Sequence, residues 1–366
     1  MRKGWEYKRW KEVLTIINGK NQSAVVDENG EYPIYGSGGI MGYANNWLCP
    51  ENCVIIGRKG NINKPIFVET KFWNVDTAFG LNANKEYLLP KFLYYFCLDY
   101  NFERHNKAVT IPSLTKADLL KIDIPLPPKS TQLAIVSELD KINELIRLKK
   151  EQLKDFDNLA QSLFYEMFGD PVENEKGWEV KKLGDISSIG TGSTPNRKNK
   201  DFYKNGTYPW VKSTEVCNLP IYSVEEYITE EALKNSNCTL YPPNTILMAM
   251  YGQGKTRGQI GLLKIEACTN QAVAAIMPTK EVVDEIFLSQ HLMLMYEHIR
   301  NMARGGNQAN LNLSIVKSIQ IFLPPLSLQH LFAQRIEQIE REKSEVQKSI
   351  QDLETLLASR MQYWFE

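Results

Sequence analysis

The feature of this sequence that most constrains its fold is an internal repeat. The stretch IDIPLPPKSTQLAIVSELDKI begins at Ile122, and IQIFLPPLSLQHLFAQRIEQI begins at Ile319, 197 residues later. In both copies a Leu-Pro-Pro triplet is followed one residue later by Ser-x-Gln and then by a long apolar-patterned segment. Because such self-similarity marks a duplicated architecture, we expect both halves of the chain to fold on one plan.

A second, shorter repeat opens each half. GWEYKRWKEV begins at Gly4 and GWEVKKLGDI begins at Gly177. The two repeats together predict the order lobe, long helix, lobe, long helix. The predicted bounds are residues 1–128 and 170–325 for the two lobes, and residues 129–169 and 326–366 for the two helices.

The two long segments carry apolar side chains at alternating spacings of four and three, over more than four heptads each. This spacing is typical of coiled-coil helices. Each stripe covers about 33 residues, or roughly 50 Å of helix, which favours pairing of the two helices over packing of each on its own lobe. The predicted seam residues are Leu139, Ile142, Ile146, Leu153, Phe156, Ile336, Ile339, Val346, Ile350 and Leu353.

The ends of these helices have recognisable signals. Ser130 and Ser327 are predicted N-caps, and Gly169 is predicted to end the first helix. Since only a short segment joins the first helix to the second lobe, a returning second helix gives an antiparallel pair with the lobes at opposite ends. The predicted fold class is therefore mixed α/β (α+β), with two mainly β lobes separated by an antiparallel coiled coil.

Each lobe also contains an apolar strand followed by a turn rich in glycine and basic residues. The two stretches are VIIGRKGNINKPIFVE from Val54 and TILMAMYGQGKTRGQIGLL from Thr245. The second contains Gly254-Lys255-Thr256, which resembles the tail of a nucleotide-binding P-loop. A P-loop requires a glycine at position 249, where this chain has Ala249, and a helix afterwards, which the following residues do not favour. A glycine-containing hairpin is the preferred interpretation.

Because the equivalent turn in the first lobe has no P-loop residues, the pair favours contact with DNA phosphates over binding of a nucleotide. Lysine and arginine bind phosphates, while arginine, asparagine and glutamine can also read base edges. For any single residue a solvated surface position is the commoner alternative, so the prediction depends on the set. The predicted DNA-binding residues are Arg58, Lys59, Asn61, Asn63, Lys64, Arg104, Lys107, Arg197, Lys198, Lys200, Lys204, Lys212, Lys255, Arg257, Arg304, Asn307 and Gln308.

Several classes of function find no support in the sequence. The 43 basic and 43 acidic residues balance, the six cysteines are scattered, and the four histidines show neither triad nor metal spacing. The motif of an adenine methyltransferase is also missing. We therefore predict no catalytic residues and no metal site. No apolar run approaches the ~18 residues of a membrane span, and no signal peptide is evident, so we expect a cytoplasmic protein.

The doubled Leu-Pro-Pro entry, the two heptad helices, the Gly-Trp-Glu openings and the glycine-basic turns together resemble the specificity subunits of type I restriction-modification systems. The resemblance covers essentially the whole chain. It implies a non-catalytic subunit in which each lobe is a target recognition domain that reads one half of a bipartite, asymmetric DNA site. Since the lobes of this family diverge strongly, it transfers no individual base-reading residue.

The resemblance also implies partners and cofactors. The partners are double-stranded DNA, two modification (methyltransferase) subunits docked on the helices and, in complexes that contain them, restriction subunits; no membrane is involved. This chain binds no cofactor itself, whereas the complex uses S-adenosylmethionine, and ATP with Mg when a restriction subunit is present. Two alternatives stay open, namely a non-catalytic coiled-coil scaffold and a DNA-binding protein without sequence preference.

Overall fold

The computed structural model of the chain describes residues 4–106, 111–252, 254–303 and 310–365. The chain divides into two compact units: unit 1 is Met1–Glu151 with Gln347–Glu366, and unit 2 is Gln152–Val346. Each unit therefore contains one lobe, the first half of the long helix that follows it, and the last half of the other long helix. The segment bounds expected from the sequence follow lobes and helices rather than these units, and they stay a prediction.

Unit 1 is built on two sheets and a two-stranded ladder. Its strands are β1 (Glu6–Arg9), β2 (Leu14–Asn18), β3 (Tyr32–Gly36), β4 (Gly39–Ala44), β5 (Cys53–Gly57), β6 (Ile66–Val68), β7 (Trp73–Asn74), β8 (Ala78–Ala83) and β9 (Asp123–Leu126). Its helices are α1 (Trp10–Val13), α2 (Pro90–Asp99), α3 (Lys116–Leu119), the first half of α4 (Lys129–Phe168) and the last half of α10 (Leu326–Phe365). The strand orders are β2-β8-β5-β6, β4-β3-β7 and β1-β9.

Unit 2 repeats this plan with a larger sheet. Its strands are β10 (Glu179–Lys182), β11 (Ser187–Thr191), β12 (Tyr208–Val211), β13 (Leu219–Ile221), β14 (Tyr227–Ile228), β15 (Ile246–Ala249), β16 (Ile260–Leu263), β17 (Cys268–Thr269), β18 (Val273–Pro278) and β19 (Gln320–Leu323). Its helices are the last half of α4, α5 (Leu183–Ile186), α6 (Glu230–Asn235), α7 (Glu285–Leu294), α8 (Tyr296–Met302), α9 (Leu313–Ser318) and the first half of α10 (Leu326–Phe365). The strand orders are β11-β18-β15-β16-β13, β14-β12-β17 and β10-β19.

The two sequence repeats recur together because they pair in space. In unit 1, β1 of the opening repeat pairs antiparallel with β9, so that Glu6 faces Leu126. In unit 2, β10 pairs in the same way with β19, and Glu179 faces Leu323. The two prolines that follow each exit strand have no N–H group to donate, so the ladder stops there and the long helix begins.

A buried glutamine explains the Ser-x-Gln part of the repeat. Gln132 accepts a hydrogen bond from the Leu89 N–H group at 2.9 Å and donates to the Pro127 carbonyl at 3.0 Å. Gln329 accepts from the Asp284 N–H group at 2.9 Å and donates to the Pro324 carbonyl at 2.8 Å. Both side chains are buried. Each glutamine therefore ties the start of a long helix to the segment before α2 or α7.

The serines of this motif do not cap the helices as predicted. Because α4 starts at Lys129 and α10 at Leu326, Ser130 and Ser327 lie inside the first turn. Pro128 and Pro325 stand at the N-cap positions instead, so each helix begins two residues earlier than predicted. The fixed backbone of proline suits the start of a helix. The predicted end of α4 is confirmed: Gly169 follows Phe168 with a φ of +86°.

In unit 1, α4 and α10 pair antiparallel. Glu138 binds the guanidinium group of Arg360, with one Nη2–Oε2 distance of 3.1 Å. Lys150 binds Glu354 at 2.8 Å. Since the partner number falls as the α4 number rises, the helices run in opposite directions.

In unit 2 the other halves of the same helices pair in the same sense. Lys343 binds Asp157 at 2.9 Å, and the ring of Phe332 lies 5.2 Å from that of Phe168. The predicted antiparallel coiled coil is therefore confirmed within each unit. Of the predicted seam residues, Leu139, Ile142, Ile146, Ile336, Ile339, Val346 and Ile350 are buried, and Leu153, Phe156 and Leu353 are half-buried.

The last turn of each long helix packs into a lobe core. In unit 1 the ring of Phe365 lies 5.3 Å from Phe92 of α2, and in unit 2 the ring of Phe168 lies 4.9 Å from Phe287 of α7. In unit 1, Trp364 also stacks on Trp5 of the opening repeat at 6.4 Å. These aromatic contacts add to the apolar burial that fixes each helix end on its lobe.

Candidate DNA interface

The first basic turn, residues 58–64 of unit 1, follows buried strand β5. Arg58, Lys59, Asn61 and Lys64 are all exposed. The backbone of the turn is nevertheless fixed, because the Leu114 N–H group donates to the Arg58 carbonyl at 2.9 Å. The turn thus presents three basic side chains from an ordered backbone.

Asn63 links this turn to a second candidate segment. Its Oδ1 accepts a hydrogen bond from the Phe102 N–H group at 2.8 Å, and its Nδ2 donates to Asn101 Oδ1 at 3.3 Å. Phe102 begins a short 3-10 helix that ends at His105 and carries the exposed Arg104. The structure therefore brings the turn and the Arg104 segment together, and the amide of Asn63, although exposed, is hydrogen-bonded to that segment.

The second basic turn, residues 250–252 and 254–259 of unit 2, is the loop of a β-hairpin. Strands β15 and β16 pair antiparallel with Met248 facing Ile260, and the Gly258 N–H group donates to the Ala249 carbonyl at 2.8 Å. Gly254 and Gly258 have φ values of +61° and +87°, which favour glycine. The hairpin interpretation is confirmed, and the P-loop alternative is wrong because a strand follows the turn.

Two side chains of α8 hold this turn by its backbone. Arg300 donates from Nη1 to the Arg257 carbonyl at 3.0 Å and from Nη2 to the Gly254 carbonyl at 2.9 Å. The Tyr296 hydroxyl donates to the Lys255 carbonyl at 2.5 Å. Neither residue was predicted from the sequence. Their partners are backbone carbonyls, which leave no pattern of residue types to find.

The side chains of the second turn differ in accessibility. Lys255 is exposed, whereas Arg257 is half-buried and its Nε is buried without a hydrogen-bond partner among the described residues. Lys255 is therefore the basic group of this turn that is best placed for a phosphate.

One backbone contact shows that the two turns are equivalent. The Leu311 N–H group donates to the Met250 carbonyl at 3.1 Å, just as the Leu114 N–H group donates to the Arg58 carbonyl. Leu114 and Leu311 are themselves 197 residues apart, the offset of the main repeat. Each unit thus holds its basic turn at the same place on its lobe.

The basic run near residue 200 of unit 2 divides into two groups. Lys198, Lys200 and Lys204 are exposed, around a short 3-10 helix whose N-cap is Asn199. Arg197 is exposed as well, but it forms an ion pair with Glu226, and its guanidinium carbon lies 4.8 Å from the centre of the Trp210 ring.

The ion-paired group also includes Lys212. Its Nζ lies 2.7 Å from Glu225 and 3.9 Å from Glu226. Hydrogen bonding to Arg197 holds the pKa of the Glu226 carboxyl below its usual range. The positive charges of Arg197 and Lys212 are therefore partly neutralised within the lobe. Four further predicted contacts, Lys107, Arg304, Asn307 and Gln308, lie outside the described residues.

Comparison with known proteins shows to which family this architecture belongs. The family model described as type I restriction modification DNA specificity domain matches residues 2–155 and 175–355. The chain belongs to this family. Membership confirms the resemblance inferred from the repeats, together with the prediction that the chain is a specificity subunit and not itself an enzyme.

Individual specificity subunits are similar along most of the chain. The MjaIX specificity subunit of Methanocaldococcus jannaschii is 22% identical, with 88% of this chain and 84% of that protein covered. The MjaVIII specificity subunit of the same organism is 24% identical, with 96% and 92% covered.

Solved structures of the family share the fold. The type I S subunit from M. genitalium superposes with a TM-score of 0.64 at 16% identity, over 100% of this chain and 98% of that one. A chain from a study of complex assembly and conformational transition of the type I R-M system gives 0.62 at 17% identity, over 99% and 97%. These likenesses confirm the fold class predicted for specificity subunits.

Neither a metal site nor a membrane-spanning helix is found among the described residues. In residues 4–106, 111–252, 254–303 and 310–365, no group of three His, Cys, Asp or Glu side chains is arranged to hold a metal ion. Across the same ranges, no helix combines the length and apolarity that crossing a membrane requires. The cytoplasmic location stays a prediction.

Proposed function

We propose that this chain is the sequence-specific DNA-recognition subunit of a type I restriction-modification complex. Each unit reads one half of a bipartite, asymmetric site, and the helices dock two modification subunits and, in complexes that contain them, restriction subunits. In this arrangement the chain supplies specificity, and its partners supply the chemistry.

The observation that carries this proposal is the equivalence of the two basic turns. Two turns held at the same place on two lobes provide two similar phosphate-binding surfaces in one chain. Proteins that read two half-sites carry such duplicated surfaces. Because the two lobes differ in sequence along most of their length, including at these turns, we expect them to read different half-sites and the whole site to be asymmetric.

Exposed leucines on the long helices support the docking of partner subunits. They lie outside the seam and are between 42% and 61% exposed, so they offer apolar surface that a partner subunit can cover; they are Leu133, Leu145, Leu148, Leu159, Leu331 and Leu356. The modification subunits bind S-adenosylmethionine, and restriction subunits bind ATP with Mg, so neither cofactor binds to this chain.

The proposal is tested by co-expressing the chain with its modification subunit in a host without other methyltransferases. Single-molecule sequencing then maps methylated adenines in the host DNA, with the modification subunit alone as the control. We expect a split motif with a fixed gap that disappears in the control.

Two other outcomes would contradict the proposal and identify the alternatives. A stable complex with no split motif would indicate a coiled-coil scaffold. DNA binding with a strong salt dependence but no sequence preference would indicate a non-specific binder.

A further inference from the structure

The second basic turn is held from beneath by one helix of its own unit. Arg300 and Tyr296 lie one helical turn apart on α8 and bind three carbonyls of the turn, those of Gly254, Lys255 and Arg257. The two side chains also bind each other, since Arg300 Nη1 donates to the Tyr296 hydroxyl at 2.7 Å. The guanidinium carbon lies 5.1 Å from the centre of the tyrosine ring. Together they form one connected clamp.

A turn of this composition needs such a clamp. Gly252, Gly254 and Gly258 all lie within it, and glycine loses more conformational freedom on ordering than any other residue. Charge-assisted hydrogen bonds from a guanidinium group are stronger than those between neutral groups. The clamp therefore restricts the turn before any ligand arrives, which lowers the entropic cost of binding.

Among the described residues, the guanidinium group of Arg300 is already used in hydrogen bonds within the lobe, unlike the ammonium group of Lys255. Its Nη1 has two acceptors, Arg257 O and Tyr296 Oη, and its Nη2 has one, Gly254 O. It is only half-exposed, whereas Lys255 on the turn above is exposed. Arg300 thus acts on the backbone of the turn, and Lys255 is the group left to meet a phosphate.

In unit 1 a different residue holds the first basic turn. There Asn63 joins the first basic turn to the Asn101–Phe102 segment through its side-chain amide. In both units a side chain thus bridges the turn and the segment that precedes the repeated leucine, Leu114 or Leu311. The recurrence of a bridge with different chemistry indicates that holding the turn is its purpose.

We propose that Arg300, assisted by Tyr296, is a positioning residue that fixes Lys255 for recognition of the half-site read by unit 2. This inference depends on the proposed function, because it requires that the turn contacts DNA. Loss of the clamp should weaken binding to one half-site and leave the other unchanged.

The test is a double-substitution cycle on the full chain in complex with its modification subunits. The variants are Lys255→Ala, Arg300→Met and the two combined, with Lys64→Ala in unit 1 as the matched control in each background. The probe is a duplex carrying the split site, and the dissociation constant is measured by fluorescence anisotropy between 50 and 200 mM salt. Each lost phosphate contact should lower the log–log salt slope by about 0.9, or roughly 3.5-fold in affinity over this range.

We expect Lys255→Ala to lower the slope by about 0.9 in the wild-type background and to have no further effect once Arg300 is methionine. Lys64→Ala should have the same effect in both backgrounds. Additive effects of Lys255→Ala and Arg300→Met would overturn the inference, because they would make Arg300 an independent contact.

A wild-type slope that does not change with Lys255→Ala would also overturn it, since the turn would then have no phosphate to meet. That result differs from failure of the proposed function, in which the wild-type complex shows no preference for the split site at all.

A folding control keeps the test decisive. Tyr296→Phe retains the ring beneath Arg300 and removes only the hydroxyl, so it should preserve the fold if Arg300→Met does not. We expect it to reduce the effect of Lys255→Ala partially and to increase hydrogen exchange in residues 254–259. Unchanged exchange together with an unchanged effect of Lys255→Ala would refute the clamp.

Discussion

The buried glutamines of the repeat allow a quantitative prediction, in which Gln132→Leu and Gln329→Leu destabilise different units. Gln132 and Gln329 are 1% and 0% exposed. Leucine has a similar volume but leaves the Leu89 N–H group and the Pro127 carbonyl without this partner in one case, and the Asp284 N–H group and the Pro324 carbonyl in the other.

The magnitude follows from counting these groups. A buried polar group that loses its partner costs about 1–3 kcal/mol, and the added apolar burial offsets roughly 1 kcal/mol. Two such groups cost about 2–6 kcal/mol, so the net loss is about 1–5 kcal/mol for either substitution. For a unit of this size that corresponds to a fall in Tm of about 2–20 °C. Gln132 also donates to the Tyr87 carbonyl at 2.9 Å, but Tyr87 is exposed and water can replace that bond.

Urea unfolding gives the total loss of stability, and hydrogen exchange of peptides from each unit shows where it occurs. Gln132→Leu should lower protection in unit 1 and Gln329→Leu in unit 2, while Gln334→Leu, at an exposed position of α10, serves as the control. A loss within about 0.5 kcal/mol of the control would refute the reasoning, because surface substitutions typically fall in that range.

Three further predictions concern the coil, pH and the paired arginine. Ile146→Asn places a polar group in the buried seam and should cost about 2–4 kcal/mol by thermal unfolding, whereas Leu145→Asn on the exposed face should cost little. Burial lowers the pKa of His291 from 6.5 to about 4. As the pH falls, the unfolded chain protonates His291 at a higher pH than the folded chain does, so stability should fall by about 3 kcal/mol between pH 6.5 and pH 4. In urea titrations His291→Phe should flatten this dependence. Arg197→Ala should lower the stability of unit 2 by about 1 kcal/mol and leave the salt slope of DNA binding unchanged. Lys200→Ala should leave the stability unchanged and make the salt slope shallower.

Each of these has an outcome that contradicts it. Equal losses of stability for Ile146→Asn and Leu145→Asn would contradict the assignment of Ile146 to the buried seam. If the pH dependence of stability is unchanged in His291→Phe, other titrating groups cause it. A shallower salt slope for Arg197→Ala, at unchanged stability, would show that the ion pair with Glu226 opens to bind DNA.

The long helices could be predicted from the sequence because their pattern is local. A heptad stripe such as Leu139, Ile142 and Ile146 is set by helical geometry, and a second copy 197 residues on supplies its partner. The hairpin around Lys255 was also predictable, since a missing glycine at position 249 and the absence of helix formers exclude a P-loop.

The chemistry within each lobe was not predictable, because it depends on residues far apart in the chain. Arg197 sits in a basic run and stays a predicted DNA contact, but its ion pair with Glu226 and its contact with Trp210 could not be read from the sequence. Arg300 meets the turn 43 residues away through backbone carbonyls. The glutamine of the repeat was visible in the sequence, but its role required the position of the Leu89 N–H group.

The exchange of helix ends between the units has a consequence for synthesis on the ribosome. Trp364 and Phe365 pack in the aromatic core of unit 1, so the lobe of unit 1 is complete only after the last turn of α10 has left the ribosome. Unit 2 consists of one uninterrupted stretch, residues 152–346, and has all its parts earlier. The domain that is translated first is therefore completed last, and during that interval the surface around Phe92 is open. Contacts of such large sequence separation form slowly, and exposed apolar surface invites association. We expect newly made chains to depend on chaperones mainly through unit 1.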